Sequence, residues 1–316
     1  MSDNLEQYLT KGVQCYEAGR LDEAEKIFKE VIAQIPDCAD AYNLLGIVYA
    51  GHKKFTEALV NFKEAVRLNP NNAVYNSNLG NALQDNGELN ESMPYYFKAI
   101  ELQSDFTDAY YNLSNSLRKL QRFPESLQYL NKAKSLNSRY LKCYINAALT
   151  HVELKQFDQA ILELNKALEI EPHSFEALSS LAVVFSLKRD YEQSMIYFKK
   201  AHATGRADDK FFVNYAAVCV ELNQPVEAGK AFLKSAEINP SKNGALGRAL
   251  HQKMLIADWS GIKELNDEIV KRLHQNQDVV DPFGYMGFSD SETDLQLAAV
   301  IYLDKKFPTP PTGLIS

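Results

Sequence analysis

The chain has 316 residues, of which 46% are hydrophobic and 24% are charged, and its formal net charge is −7. This composition is typical of a folded globular protein, and the acidic balance argues against a general nucleic-acid binder, which needs a basic surface to release counterions. No apolar run approaches the roughly 20 residues that span a bilayer, so we expect no membrane partner and, without a targeting sequence, a cytoplasmic location.

A period of 34 residues runs through most of the chain. Cutting from Leu5 gives seven segments without insertion or deletion, beginning at residues 5, 39, 73, 107, 141, 175 and 209 and ending at residue 242. Positions 8 and 20 of each segment are small, and position 32 is proline in four segments. Position 24 is large throughout: Phe28, Phe62, Tyr96, Leu130, Leu164, Phe198 and Phe232.

This pattern predicts a pair of helices in each segment. Large residues at positions 4, 7, 11 and 24 recur at helical spacing and give each helix one apolar face. Small residues at positions 8 and 20 allow the two helices to approach closely, and a turn near position 15 separates them. Proline at position 32 is expected to end the second helix. Because one such pair cannot bury its own apolar face, neighbouring pairs must stack.

The period and the residue types resemble those of tetratricopeptide repeats (TPR). The resemblance implies an all-α fold, a right-handed superhelical α-solenoid of about seven helix-turn-helix repeats at residues 5–242, with C-terminal capping helices at residues 243–275. Those helices are expected near residues 244–255 and 260–274, with Asp258 or Ser260 as N-cap of the second. Trp259 is expected to pack the end of the array as a hydrophobic plug, and the alternative is a platform for a ligand. Residues 276–316 look like a linker with one helix near 291–305 and a proline-rich tail.

Asparagines recur on the first helix of several repeats, at positions 6 and 9, which share a stripe turned away from the core. They are Asn78, Asn81, Asn112, Asn115, Asn146 and Asn214. One interpretation is that asparagine is simply common on solvated helix faces. The other is a ladder of primary amides along the concave groove, facing the C=O and N–H groups of an extended polypeptide. Asparagine is a poor helix former, so its repetition favours peptide binding.

A rival arrangement resembles TPR domains that clamp the C-terminal carboxylate of heat-shock chaperones. Asn81, Asn112 and Lys142 match that pattern. Ser77 and Asn146 stand where the clamp has a lysine and an arginine. Because a carboxylate needs those charges, we favour the amide ladder and keep Lys142 among the candidate peptide-binding residues.

The segments ADWSGIKELNDEIVKRL and DPFGYMGFSD, following repeats with an asparagine ladder, resemble the region that joins repeats to the catalytic domain in O-linked N-acetylglucosamine (O-GlcNAc) transferases. The resemblance implies the substrate-recognition arm of such a glycosyltransferase, which presents extended segments of client proteins to a downstream catalytic domain. The alternative is a general TPR adaptor or assembly scaffold that is unrelated to glycosylation.

We expect no catalysis by this chain alone, no cofactor and no metal site. The six histidines are scattered, and there is no glycine-rich phosphate loop. The four cysteines form no CxxC pair and are expected to be buried thiols. A homodimer is a further expectation, carried by an aromatic surface at Tyr95, Tyr96, Tyr110 and Tyr111, although most of these fall at repeat-core positions.

Overall fold

The protein, seen in a computed structural model that describes residues 2–240, 244–281, 285–286, 289 and 291–306, is all-α. Those residues form seventeen α-helices and no strand. The predicted all-α solenoid of stacked helix pairs is therefore confirmed. The chain divides into two compact units, Met1–Glu163 and Leu164–Ser316.

In the first unit each pair of helices occupies one 34-residue segment, and every pair after the first begins at the first residue of its segment. The helices are α1 (Ser2–Glu17), α2 (Leu21–Gln34), α3 (Ala39–Gly51), α4 (Phe55–Leu68), α5 (Ala73–Asp85), α6 (Leu89–Leu102), α7 (Thr107–Lys119), α8 (Phe123–Leu136) and α9 (Leu141–Glu153). Helix α10 (Phe157–Ile170) contains the boundary between the units.

The second unit continues with two further pairs and three more helices. They are α11 (Phe175–Leu187), α12 (Tyr191–His202), α13 (Asp209–Glu221), α14 (Pro225–Ile238), α15 (Ala245–Leu255), α16 (Ile262–Leu273) and α17 (Glu292–Lys306). The last three begin and end within two residues of the helices expected at 244–255, 260–274 and 291–305.

The turn inside each helix pair has one residue in the left-handed region, at repeat position 15. Glycine fills this position only in the first and third repeats, at Gly19 (φ 74°) and Gly87 (φ 86°). In each turn the next residue donates its N–H to a carbonyl five residues earlier, the bond of a Schellman helix end. In the other five repeats this bond keeps the backbone of a residue other than glycine in the left-handed region, at Lys53, Gln121, Lys155, Arg189 and Asn223.

Proline is not needed to end the second helices. Helix α4 ends at Leu68, two residues before Pro70. Helices α6 and α8 end at the same repeat position, at Leu102 and Leu136, although neither is followed by proline. The next turn and the stacking of the following pair therefore suffice to set the helix length in these repeats.

Close packing within a pair depends on positions 8, 20 and 24. A Cβ atom added at Gly46 would lie 2.7 Å from Cε1 of Phe62, so the ring fills the space that the glycine leaves. The fourth repeat has serine at position 8 and a smaller Leu130 at position 24. There the Ser126 hydroxyl donates to the backbone carbonyl of Ser114 at 2.9 Å, which satisfies a buried polar group.

The four cysteines are free and buried, as predicted. Burial raises the pKa of the Cys143 thiol to about 12 and that of Cys219 to about 11, because desolvation disfavours the thiolate. Since the thiolate is the nucleophile, these residues behave as small apolar core side chains.

The prediction that Trp259 plugs the end of the repeats is wrong, because its side chain is 65% exposed. Polar contacts fix the loop around it: Lys253 Nζ donates to Asp258 Oδ2 at 2.5 Å and to the Ser260 carbonyl at 2.8 Å. The predicted N-cap is also wrong. Helix α16 is preceded by Gly261, which has φ of 66° and makes no side-chain cap.

Apolar side chains of the last three helices form a core together with Ala236 of α14, and this core includes Leu246, Leu250, Ile269, Leu273, Ala298 and Ile301. These residues pack the end of the repeats, the role that the sequence analysis expected of Trp259. The proline-rich tail at residues 308–316 lies outside the described residues. In the part of the chain that the structure describes, no helix combines the length and the apolarity needed to cross a bilayer.

An ion-pair network joins the first two repeats. Glu25 on α2 accepts hydrogen bonds from Lys29 Nζ at 2.7 Å and from the Tyr49 hydroxyl at 3.3 Å. The bond from Lys29 lowers the pKa of Glu25 below its ordinary value of 4.5. A carboxylate whose folded-state pKa is lowered stabilises the fold above its unfolded pKa, and this stabilisation is lost as the pH falls through the folded value.

Glu25→Gln is therefore expected to lower the free energy of unfolding near neutral pH by about 0.5 kcal/mol, the size typical of a solvent-screened pair. As the pH falls below the lowered pKa of Glu25, the wild type and the variant should converge. Urea unfolding at the two pH values measures this. Glu30→Gln is the matched control, because Glu30 lies 3.9 Å from Lys26 in an exposed pair. An equal loss in both variants would contradict the prediction.

Candidate functional site

The candidate binding residues gather on the first helices of repeats three to five, in the first unit. Helices α5, α7 and α9 line a hollow of about 400 Å³, called the amide hollow below. Along each helix the lining positions are spaced so that their side chains share one face. The lining residues are Asn81, Gln84, Asp85, Tyr111, Asn112, Asn115, Arg118, Lys119 and Asn146.

Four of the seven sequence-predicted site residues line the amide hollow: Asn81, Asn112, Asn115 and Asn146. Asn78 does not, and its Nδ2 donates to Asn43 Oδ1 at 2.8 Å, one repeat earlier. Lys142 is exposed on α9 outside the lining, so the three residues that match the chaperone clamp do not meet in this hollow. Asn214 is exposed on α13 in the second unit.

The amides of the hollow bond to each other and to a buried tyrosine. Asn146 Nδ2 donates to Asn115 Oδ1 at 2.5 Å, which links α9 to α7. The Tyr96 hydroxyl donates to Asn81 Oδ1 at 2.9 Å, and burial raises the pKa of this tyrosine well above its ordinary value, so it remains a donor. Some of the amides that were expected to be free for a guest are therefore already hydrogen-bonded to other residues of the protein. The NH₂ groups of Asn81 and Asn115 make no hydrogen bond within the described residues.

Two polar side chains of α7 in the hollow are left without partners. Asn112 makes no side-chain hydrogen bond to any described residue. Arg118 Nε is buried without a hydrogen-bond partner, and its guanidinium pairs with no described carboxylate. The asparagine pattern of the sequence does not include Arg118 or the other lining residues Gln84, Asp85, Tyr111 and Lys119. Helical periodicity indicates four of them, Gln84, Asp85, Arg118 and Lys119. They occupy repeat positions 12 and 13, which lie one helical turn after the asparagine at position 9.

The tyrosines proposed as a dimer surface differ in exposure. Tyr96 is fully buried and Tyr110 is 7% exposed, so neither offers contact area. Tyr95 and Tyr111 are half-buried, and the Tyr111 ring packs against Tyr140 with centroids 5.4 Å apart. A homodimer stays a prediction with less aromatic surface than the sequence suggested.

The second unit has a hollow of its own, of about 410 Å³, between α13, α14 and α15. Its lining contains no asparagine. The chain after α16 crosses α15 there, and Gly247 N–H donates to the Val279 carbonyl at 3.0 Å. A Cβ at Gly247 would lie 2.4 Å from Cγ2 of Val280, so this crossing requires glycine. The hollow is thus flanked by the protein's own chain.

One cluster has the composition of a metal site. Asp22, Glu25 and His52 place ligand atoms within 4.8 Å of one another, although the scattered histidines led us to expect no such group. Glu25 is already bound by Lys29 at 2.7 Å, and Lys54 Nζ lies 3.8 Å from it. Because two ammonium groups already compensate this carboxylate, we assign the cluster to the ion-pair network between the first two repeats.

Comparison with protein families gives three matches, each described as a tetratricopeptide repeat, at residues 39–72, 77–139 and 141–174. All nine residues that line the amide hollow lie within these ranges. The hollow is therefore part of the repeat array itself. No curated protein matches the chain.

Similar solved structures include a tetratricopeptide repeat protein from Parabacteroides merdae, which is 16% identical with a TM-score of 0.64 and covers 84% of this chain and 98% of its own. The structure of pilF from Pseudomonas aeruginosa is 20% identical with a TM-score of 0.56, covering 65% of this chain and 93% of its own. A chain of the APC/C hetero-tetramer Cut9-Hcn1 is 14% identical with a TM-score of 0.58, covering 93% of this chain and 55% of its own. At these identities the likeness shows the fold alone.

Proposed function

The chain contains tetratricopeptide repeats, and we propose that it is a protein-interaction scaffold that binds an extended polypeptide in the amide hollow. One observation carries the proposal: asparagine side chains from three successive repeats line a single concave site. The matches to repeat families are consistent with a scaffold, and the hollow supplies the groups that such a scaffold needs.

The chemistry of the hollow suits a polypeptide main chain. Each peptide unit offers one N–H donor and one C=O acceptor, and a primary amide offers both in return. Asn112 keeps its amide oxygen and both N–H groups for a guest, and the NH₂ groups of Asn81 and Asn115 add donors. At roughly 1 kcal/mol net for each hydrogen bond, about four such contacts give millimolar affinity, and apolar contacts with the guest must supply the rest of a micromolar affinity. Contacts of this kind read the main chain and accept many sequences.

The substitution Asn112→Ala tests the proposal most directly. We expect it to weaken binding of short capped peptides about five-fold, since it removes one or two hydrogen bonds. Binding is measured by screening an array of acetylated and amidated peptides, followed by titration of the tightest binders. Asn112 is preferable to Asn146, whose amide also links two helices, so that a change there alters the stack as well.

Asn214→Ala is the matched control, because it stands at the same repeat position, is exposed and lies in the second unit. It should leave the affinity unchanged, and both variants should melt at the wild-type temperature by circular dichroism. Unaltered peptide affinity in a folded Asn112→Ala protein would contradict the proposal, as would an array on which no peptide binds.

The relation to O-GlcNAc transferases stays a prediction. It rests on the segment after residue 243, and the matched repeat families end at residue 174. If the native gene reads on beyond Ser316 into two nucleotide-sugar-binding lobes, the scaffold is the substrate-recognition arm of a glycosyltransferase. A stop codon there favours the general adaptor.

A further inference from the structure

We infer that the amide hollow selects an acidic side chain, aspartate or glutamate, within the extended polypeptide that it binds. The inference rests on the proposed function and adds the chemical class of the guest. It follows from the hydrogen-bonding capacity that the internal contacts leave over, and from the charge of two residues that the asparagine pattern does not include.

The internal contacts occupy two amide oxygens of the lining and use only one of its amide N–H groups, that of Asn146. Asn81 Oδ1 is occupied by the Tyr96 hydroxyl, and Asn115 Oδ1 by the Asn146 amide. Within the described residues, the NH₂ groups of Asn81 and Asn115 remain available to a guest, and so does the NH₂ group of Asn112. A guest that only accepts hydrogen bonds therefore fits this lining better than one that mostly donates, and an ionised carboxylate accepts without donating.

Arg118 adds a cation that lacks a partner. Its guanidinium makes no hydrogen bond or ion pair with any described residue, and its Nε is buried without an acceptor. A guest carboxylate in the hollow binds the outer N–H groups of the guanidinium through charge-assisted hydrogen bonds. Lys119 lies beside it on α7, whereas Asp85 is the one carboxylate of the lining. The lining thus carries a net charge of +1, from two cations and one anion.

This arrangement differs from the chaperone clamp considered from the sequence. The clamp needs Lys142, which is exposed outside the hollow, and it takes the carboxylate at the end of a chain. Arg118 and the amides of α5 and α7 that keep free N–H groups line the same hollow. A side-chain carboxylate reaches the cation while the flanking peptide units stay against the amides.

The test uses the full chain and matched pairs of short capped peptides that differ only in glutamate or glutamine at one central position. A third member carries glutamine at the centre and a free C-terminal carboxylate. We expect the glutamate peptide to bind about ten-fold tighter than its glutamine partner, which corresponds to about 1.4 kcal/mol, because its carboxylate makes charge-assisted hydrogen bonds that the neutral amide does not. This preference should shrink as ionic strength rises.

Three variants locate the preference. Arg118→Gln should reduce it to less than two-fold. Asp85→Asn should increase it about two-fold by removing a like charge, and this variant keeps the test valid if Arg118→Gln fails to fold, because Asp85 is exposed. Lys142→Gln, which also removes one cation from the first unit, should leave the preference unchanged.

If glutamate and glutamine peptides bind equally while Asn112→Ala still weakens both, the inference is overturned and the proposed function stands. If only the peptide with a free C-terminal carboxylate gains from Arg118, the hollow recognises a chain end and the inference fails. Loss of the preference in Lys142→Gln and its retention in Arg118→Gln would also overturn it. Absence of all peptide binding overturns the inference and the proposed function together.

Discussion

Phe62→Ala is expected to lower the free energy of unfolding of the first unit by about 3–5 kcal/mol, the cost typical of removing a buried aromatic side chain. Phe62 is 4% exposed and belongs to a core cluster that spans the first three repeats. Its ring occupies the space opposite Gly46, so its loss leaves a cavity between α3 and α4. Neighbouring repeats lose support as well, because repeat stability depends on the interfaces.

Phe55→Ala is the matched control for this substitution. Phe55 begins the same helix, α4, and is 42% exposed, so its removal creates no cavity. Urea unfolding followed by circular dichroism should show a loss below about 1 kcal/mol for this variant. Equal losses in the two variants would show that the packing at position 24 does not carry the stability we assign to it.

The second large effect is expected from Gly247→Ala, at about 1–3 kcal/mol of lost stability in the second unit. A Cβ at this position meets Cγ2 of Val280 at 2.4 Å and the Val280 Cα at 3.0 Å, so the chain after α16 must move away from α15. The hydrogen bond that the backbone N–H of residue 247 donates to the Val279 carbonyl is then broken. Hydrogen exchange at that amide and thermal unfolding both report the change.

Two further variants distinguish overpacking from a general glycine effect. Gly229→Ala is the control, because a Cβ there meets only Cβ of Gln252, at an ordinary 3.5 Å. It should be neutral or stabilising by up to about 1 kcal/mol, since alanine is the better helix former. Val280→Ala in the Gly247→Ala background should restore part of the loss. Destabilisation by Gly229→Ala, or no restoration by the double variant, would refute the packing argument.

The repeats were predictable because their signal is periodic and apolar. Small residues at positions 8 and 20 and large ones at position 24 each have one physical role, so seven copies reinforce a single interpretation. Trp259 illustrates the opposite case. It occurs once, outside the period, and its burial depended on a loop whose course is set by the polar contacts of Lys253. No pattern in the sequence announces such contacts.

The site was predictable in position but not in detail. Helical periodicity placed Asn112, Asn115 and Asn146 on one stripe, and the structure brings them to one hollow. Which amide bonds to which depends on distances between neighbouring helices, and these are properties of packing that composition does not record. Arg118 was not predicted because arginine occurs at this position in one repeat only, whereas the sequence signal of the site consists of residue types that recur.

The bond between Asn115 and Asn146 has a consequence for recognition. Both side chains are immobilised before any guest arrives, and the Tyr96 hydroxyl holds Asn81 in the same way. Ordering a flexible side chain on association costs roughly 0.5–1.5 kcal/mol, and that entropy is lost here during folding instead. The hollow is thus preorganised, so even loosely specific main-chain contacts add to affinity, while Asn112 retains the rotational freedom to adapt to different guests.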